Sequence, residues 1–407
     1  MSDDSTNIAA ESSADLRDRA AALDAADGLA KLRERFTLPD GVVYLDGNSL
    51  GALPAGVADT TADVIARQWG ELLIRSWDES GWWTAPERIG DKLAPLVGAA
   101  PGQVVVGDST SVNLFKALVG AARLAAPGRT KLLVDAATFP TDGYIARSAA
   151  RMTGLTVVPV DPSHAAEAMD ADTAVVLLNH VDYRSGRLHD LPALTTAAHA
   201  AGAITVWDLC HSAGALPVDL DAHAVDLAVG CTYKYLNGGP GAPAYLYIAA
   251  RHQADFDSPL PGWNGHADPF AMTPAFAPAE GVTRGRVGTP DILSMLALES
   301  ALDAWDGVSV EDVRAKSLAL TDFFLACVAA YVPQDRVESV TPVEHDRRGS
   351  QISLRTENAH EVMGELISRG VIGDFRAPDV LRFGFTPLYV GFADAERAAR
   401  TLGHIFG

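Results

Sequence analysis

Lys234 has the setting that most invites chemistry. It stands in GCTYKYLNGGPG, flanked by Tyr233 and Tyr235, with the buried-type run DLAVGC before it and a glycine-rich turn behind it. A lysine placed there is either a structural cation or an amine kept for covalent chemistry with a carbonyl group. Lys31, Lys92, Lys116 and Lys316 lie in helical composition beside charged or surface-like neighbours and read as solvated, while Lys131 leads into a strand. Asp208 closes the apolar run AITVWD, where it either caps the following helix or offers its carboxylate to a ligand. His211 reads as a partner of Asp208, a group beside a cofactor, or a satisfied structural histidine.

A lysine amine and a carboxylate at neighbouring strand ends suit pyridoxal 5'-phosphate (PLP). That cofactor also needs a phosphate cradle, a ring-stacking group and an anchor for the substrate carboxylate. An acid opposite the pyridine nitrogen keeps it protonated, so that the ring can accept an electron pair. Ser109, Thr110 and Ser111 follow VVVGD and open a helix, where hydroxyls and free N–H groups can hold a phosphate; plain N-capping would look the same. In FPTDG, Phe139 has a ring to stack and Asp142 a carboxylate to bond, although aromatic residues in loops are common.

Other chemistries find no support. The histidines His180, His189, His199, His211 and His223 are scattered without HExxH spacing, so no metal is expected. GGPGAP lacks the Lys-Ser/Thr ending of a P-loop, and no G-x-S-x-G elbow is present. Cys210, Cys231 and Cys327 form no C-x-x-C pair, which argues for reduced thiols and against a structural zinc site.

Positioning these residues falls to alternating elements. Compact apolar runs centred near 133, 158, 176, 206 and 228 are separated by segments of helical composition, the pattern of a mainly parallel sheet covered by helices. APAYLYIA at 242–249 adds a strand. Helices are expected over about 13–36, 55–73, 291–305, 309–331 and 359–369, and residues 1 to about 12 read as disordered. The expected division is an N-terminal segment, 1–60, that packs with a small domain; a large α/β domain, 61–305; and a small α+β domain, 306–407. Strand ends of such a sheet are where ligands bind.

The 407 residues exceed the usual limit of a single core, and 48% are apolar by a broad count. A net charge of −20 disfavours nucleic acid and anionic membrane as partners. The polar, acidic start MSDDSTNIAAESSADL is unlike a signal peptide, and no apolar run would span a bilayer, so a cytoplasmic location is expected.

YLDGNSLG, DSTSVNLFK, FPTDGY, LNHVDYRSGRLHD, WDLCHSAGALPVDL, GCTYKYLNGGPGAPAYLY, GWNGHADPFAM and GTPDIL together resemble the kynureninase family, within the aspartate-aminotransferase-like PLP enzymes of fold type I. The resemblance covers nearly all of the chain beyond about residue 40. It implies hydrolysis of L-kynurenine to anthranilate and L-alanine in tryptophan catabolism and pyridine nucleotide (NAD) biosynthesis, with 3-hydroxykynurenine as a further substrate. By that resemblance Lys234 carries the cofactor as a Schiff base and Asp208 faces the pyridine nitrogen with His211 close by. Tyr233, Thr110 and Ser111 hold the phosphate, Phe139 stacks on the ring and Asp142 lies near it. Trp263 and Thr289 reach in from the second subunit of a homodimer, and Arg382 in LRFGFTPLY clamps the substrate carboxylate. An arginine fork suits a carboxylate, and a strand arginine between Leu381 and Phe383 is costly unless its charge is matched. Tyr233 is also a candidate proton donor, and Trp82 and Trp83 are expected to wall an aromatic pocket. A cysteine desulfurase, the nearest alternative, needs a mobile nucleophilic cysteine; Cys210 and Cys231 beside core strands and Cys327 in a helix argue against that. An aminotransferase, or a PLP-binding regulator, is the other alternative.

Overall fold

The computed structural model describes residues 13–407; the disorder expected for residues 1 to 12 lies outside them. The first helix, α1, spans Ser13–Ala26 and stops well before the expected end near 36. Asp27 turns the chain by accepting the Leu29 N–H on its own side chain, and a short 3-10 helix, Ala30–Arg35, follows. The helix expected over 55–73 also divides: Val57–Asp63 is α-helical and Val64–Leu72 is π-helical, and Leu73 ends it at a φ of 56°.

Seven strands form the main sheet: β1 (Val104–Val106), β2 (Lys131–Asp135), β3 (Thr156–Val160), β4 (Thr173–Asn179), β5 (Ile204–Asp208), β6 (Leu227–Gly230) and β7 (Tyr245–Ile248). Their order is β1-β7-β6-β5-β4-β2-β3. From β6 to β3 all pairs are parallel, and β7 runs antiparallel to both β6 and β1. Every residue of β4, β6 and β7 is buried, so each strand is covered on both faces, as its unbroken apolar sequence requires. One covering layer includes α2 (Thr110–Leu124) and α3 (Pro140–Thr153), whose alanines meet β-branched strand residues in one apolar cluster.

A second, four-stranded sheet pairs β8 (Glu338–Ser339), β9 (Gln351–Arg355), β11 (Val380–Gly384) and β10 (Asp374–Arg376) in that order, antiparallel throughout. Helices α4 (Val310–Tyr331) and α5 (Phe392–Phe406) contribute to the core beside it. The N-terminal segment joins this part: Val43 and Tyr44 pair in parallel with Val371 and Ile372, and the Gly391–Ala393 turn is tied to Asp24, whose carboxylate accepts the Phe392 and Ala393 N–H groups.

Two lysines read as solvated are buried instead. Lys116 is 2% exposed and pairs with Asp108 at 2.7 Å, and Lys316 is 8% exposed and pairs with Asp27 at 2.7 Å. Helical composition does not reveal a partner brought in from a loop, and each burial is matched by a carboxylate and a backbone carbonyl.

Candidate active site

The carboxyl ends of β4, β5 and β6 bring Asn179, Asp208 and the Thr232–Lys234 turn to one side of the sheet. Between them lies a cavity of about 270 Å³ whose walls include Thr110, Phe139, Asp208, His211, Tyr233 and Lys234. Ser111 and Asp142 belong to the same wall, so eight of the residues singled out from sequence meet here. Gly51 explains why YLDGNSLG lies against this turn. Its N–H donates to the Tyr233 carbonyl at 2.8 Å, and a Cβ at Gly51 would sit 2.4 Å from the Lys234 carbonyl oxygen.

Lys234 Nζ donates to His211 Nε2 at 2.9 Å. Burial, then the charge of Lys234, pulls the His211 pKa well below its ordinary value, so the ring is a neutral acceptor. Its other nitrogen, Nδ1, is buried with no partner. The structure therefore gives His211 to the lysine and leaves Asp208 to other partners. The Cys210 N–H donates to Asp208 Oδ1 at 2.6 Å, and Asn179 Nδ2 donates to Asp208 Oδ2 at 3.1 Å. The same amide donates to Asp142 Oδ2 at 3.0 Å, and Thr138 Oγ1 donates to Asn179 Oδ1 at 2.5 Å. Burial and the neighbouring Asp208 carboxylate push Asp142 well above the usual carboxylate range.

Thr110 is the first residue of α2 and Ser109 its cap, with the Ser109 hydroxyl accepting the Val112 N–H. Thr110 and Ser111, the first two residues of that fifteen-residue helix, line the cavity, and N–H groups of a helix's first turn have no partner within the helix. Phe139 precedes α3, is 42% exposed, and meets the Tyr183 ring edge-on with centroids 5.1 Å apart. Burial, then the nearby cysteines, raises the Tyr233 phenol, which stays protonated across the neutral range.

Arg382 is placed differently from a free fork. It is 1% exposed, and two of its nitrogens engage Asp374, with Nε donating to Oδ1 at 2.6 Å. Nη2 also reaches Ser49 Oγ at 3.2 Å, and Nη1 donates to the Tyr183 carbonyl. The charge match expected for a strand arginine is thus Asp374, whose pKa these contacts hold low against the cost of burial. Arg376 Nη2 also lies 3.0 Å from Asp374 Oδ2.

Thr289 lines an adjoining cavity of about 540 Å³ that shares Thr110 and Tyr233 with the first. Trp263 lines neither; it packs among Trp77, Trp83 and Phe270, with the Trp83 and Trp263 ring centroids 5.6 Å apart. Trp82 and Trp83 belong to this aromatic cluster as well and do not line the lysine cavity.

Asn179, Tyr183 and Asp374 are among the wall and support residues that the sequence reading missed. Asn179 and Tyr183 stand within LNHVDYRSGRLHD, and a polar residue ending an apolar strand was the available signal for Asn179. Tyr183 sits on a strap, 182–188, gripped by the second sheet: Gly349 N–H donates to Gly186 O, Thr341 Oγ1 to Ser185 O and Gln351 Nε2 to Tyr183 O.

The residues present fit PLP. One cavity is lined by a carboxylate, helix-start hydroxyls, an amine and a half-exposed aromatic ring. Among solved structures, the apo cysteine desulfurase of Thermococcus onnurineus is similar with a TM-score of 0.78 at 18% identity, covering 92% of this chain and 97% of its own. A C-DES variant with glycine covalently linked to its PLP cofactor is similar with a TM-score of 0.80 at 16% identity, covering 92% and 99%. Fold and site together define a PLP-dependent enzyme of fold type I. The kynureninase of Burkholderia pseudomallei is 50% identical over 396 residues, 96% of this chain and 95% of that one, and the kynureninase of Deinococcus radiodurans is 51% identical over 383 residues, 93% of each. The chain belongs to the kynureninase family, and residues 313–402 match the family model described as the kynureninase C-terminal domain.

Proposed function

We propose that this enzyme hydrolyses L-kynurenine to anthranilate and L-alanine, accepts 3-hydroxykynurenine by the same route, and serves tryptophan breakdown and the supply of NAD precursors in the cytoplasm. The observation that carries the reading is Lys234 paired with a neutral His211 in one cavity with Asp208, Phe139 and the start of α2. PLP supplies, when bound, an electron-accepting ring that makes a carbon–carbon bond beside an amino acid's β-carbon breakable.

The rest falls to side chains. Lys234 would hold the cofactor and, as the free amine that meets His211 Nε2, would move a proton at the substrate's α-carbon. Asp208 keeps a proton on the ring nitrogen, held in place by the Cys210 N–H and by Asn179. Thr110, Ser111 and Tyr233 bind phosphate, and the Tyr233 phenol doubles as a proton donor because it stays protonated. Phe139 covers the ring, its plane fixed by Tyr183, and Asp142 is linked to Asp208 through Asn179. Arg382, backed by Asp374, orients the substrate carboxylate. Trp263 and Thr289 act from the partner subunit of a homodimer, which accounts for Trp263 lining neither cavity of its own chain.

Mixing the PLP-loaded protein with L-kynurenine should release anthranilate, seen by its fluorescence, with equimolar alanine. PLP-loaded protein that forms neither product, or that accumulates the amine form of the cofactor until a keto acid is added, would overturn the reading in favour of an aminotransferase.

A further inference from the structure

Two cysteines meet beneath this cavity, and the reaction uses neither sulfur. β5 and β6 run parallel with Asp208 opposite Val229, and the Leu209 N–H donates to the Val229 carbonyl at 2.8 Å. Two residues further along each chain, Cys210 comes to stand beside Cys231. Both cysteines lie just past the ends of their strands, and a disulfide needs their Cα atoms within about 4.4–6.8 Å.

The contacts bear this out. The Cys231 N–H meets Cys210 Sγ at 3.3 Å, and Cys231 Sγ lies 3.8 Å from the Cys210 carbonyl oxygen. Both residues are free thiols. The Tyr245 hydroxyl, within electrostatic reach of both, is buried without a partner. Cys210 also lines the cavity, its sulfur 3.9 Å from Thr110 Oγ1, and its N–H is a donor to Asp208. A small oxidant entering the cavity therefore has a path to this pair.

We propose that Cys210 and Cys231 are a covalent modification site, oxidised by hydroperoxides to a disulfide that disables cofactor binding. The balance is two thiols and one hydrogen peroxide to one disulfide and two waters: the O–O bond breaks, an S–S bond forms, and the sulfurs supply two electrons and both thiol protons. Of the two, Cys231 is the readier thiolate: against the cost of its own burial, the Cys210 thiol and the Lys234 charge hold its pKa down, while Cys210 is pushed up. The bond draws the Cys210 sulfur away from Thr110 and shifts the backbone N–H that holds Asp208, so the phosphate end and the ring-nitrogen end of the cavity are disturbed together. PLP bound in the cavity that Cys210 lines would protect the pair.

The functional consequence rests on the PLP reading, but the chemistry is read separately by mass. Protein stripped of PLP and treated with hydrogen peroxide should lose two hydrogens per chain, with the peptides bearing Cys210 and Cys231 joined and Cys327 unchanged. Its PLP titration should fail and recover on adding dithiothreitol, while PLP-loaded protein treated alike should stay reduced. Cys231→Ser, or Cys231→Ala should the first not fold, should keep PLP binding through the same treatment. An unchanged mass, a link involving Cys327, a joined pair with undiminished PLP binding, or a Cys231 variant as sensitive as the parent would overturn the proposal. Untreated protein that binds no PLP would instead overturn the cofactor reading, and the mass result would still decide whether the link forms.

Discussion

Arg382 shows how one residue serves stability and recognition together. With 1% exposure and its fork on Asp374, it is the larger half of a buried pair. Arg382→Leu should raise KM for kynurenine and also lower stability, by about 1–3 kcal/mol, because Asp374 loses the Arg382 fork and keeps only Arg376 and Ser49 as partners. Adding Asp374→Leu should recover most of the melting temperature and leave KM high; full recovery of KM would remove Arg382 from the substrate site. Asp46 lies close by with Oδ1 buried and unpaired, and burial followed by Asp374 raises its pKa to about 6. The sign follows from a folded value above the unfolded one, about 4. The contribution of Asp46 to stability is present in full below pH 4 and lost as pH rises through 6. Asp46→Asn should therefore gain ~1–3 kcal/mol at pH 8 relative to the parent and nothing at pH 4, as read from urea midpoints at the two pH values. Residue types told much of this in advance: Lys234, Asp208, Thr110 and Phe139 were legible because each follows or opens an element whose pattern is plain. Asp374, Asn179 and Tyr183 were not, since what marks them is a partner distant in the chain: Arg382 for Tyr183, Asp142 for Asn179, Ser49 for Asp374.

At the scale of elements, the central strands were readable because burial on both faces leaves an uninterrupted apolar run, and β7 stood out likewise. Its antiparallel direction was not readable, because direction depends on the length and path of the connection and not on composition. The split of the helix expected over 13–36, and the π-helical turns of 64–72, arise from local hydrogen bonding that periodicity does not register. At the end of the sheet opposite the cofactor cavity, Asp226 just before β6 ties the layer together. It is 2% exposed and accepts from Thr205 N–H and Oγ1, both at 2.8 Å, from Arg251 Nη2 and from two histidines, His199 and His252. Those bonds hold its pKa below the usual range despite burial. A depressed carboxylate stabilises above the unfolded pKa and gives that stability up as pH falls through its folded one. Asp226→Asn should cost about 2–4 kcal/mol at pH 7 and flatten the acid limb of the melting profile, with kcat of the folded enzyme unchanged. An unaltered acid limb would show that this knot contributes little.

For the whole molecule, the exposed apolar residues are informative where they gather. Trp69, Leu73 and Ile74 on the segment after Val57–Asp63 are 58%, 59% and 77% exposed, and Phe270 and Met272 are 70% and 79% exposed next to the tryptophan cluster. The homodimer proposed above would cover such surface with a second copy of the chain and would bring Trp263 and Thr289 to its partner's cavity. Ile74→Glu should then sediment as a monomer and lose both PLP affinity and turnover, whereas a monomeric but fully active variant would place the whole site within one chain. Among the described residues no helix is long and apolar enough to cross a membrane. The central claim is that Lys234 carries the cofactor, and the neighbouring cavity holds another lysine, the buried Lys116, against which it can be judged. Reducing the PLP-loaded enzyme with borohydride and mapping its peptides by mass spectrometry should find one pyridoxyl group, on the Lys234 of GCTYKYLNGGPG. Labelling of Lys116 or another lysine in its place, or no labelled peptide from protein that shows the PLP absorbance, would contradict the account.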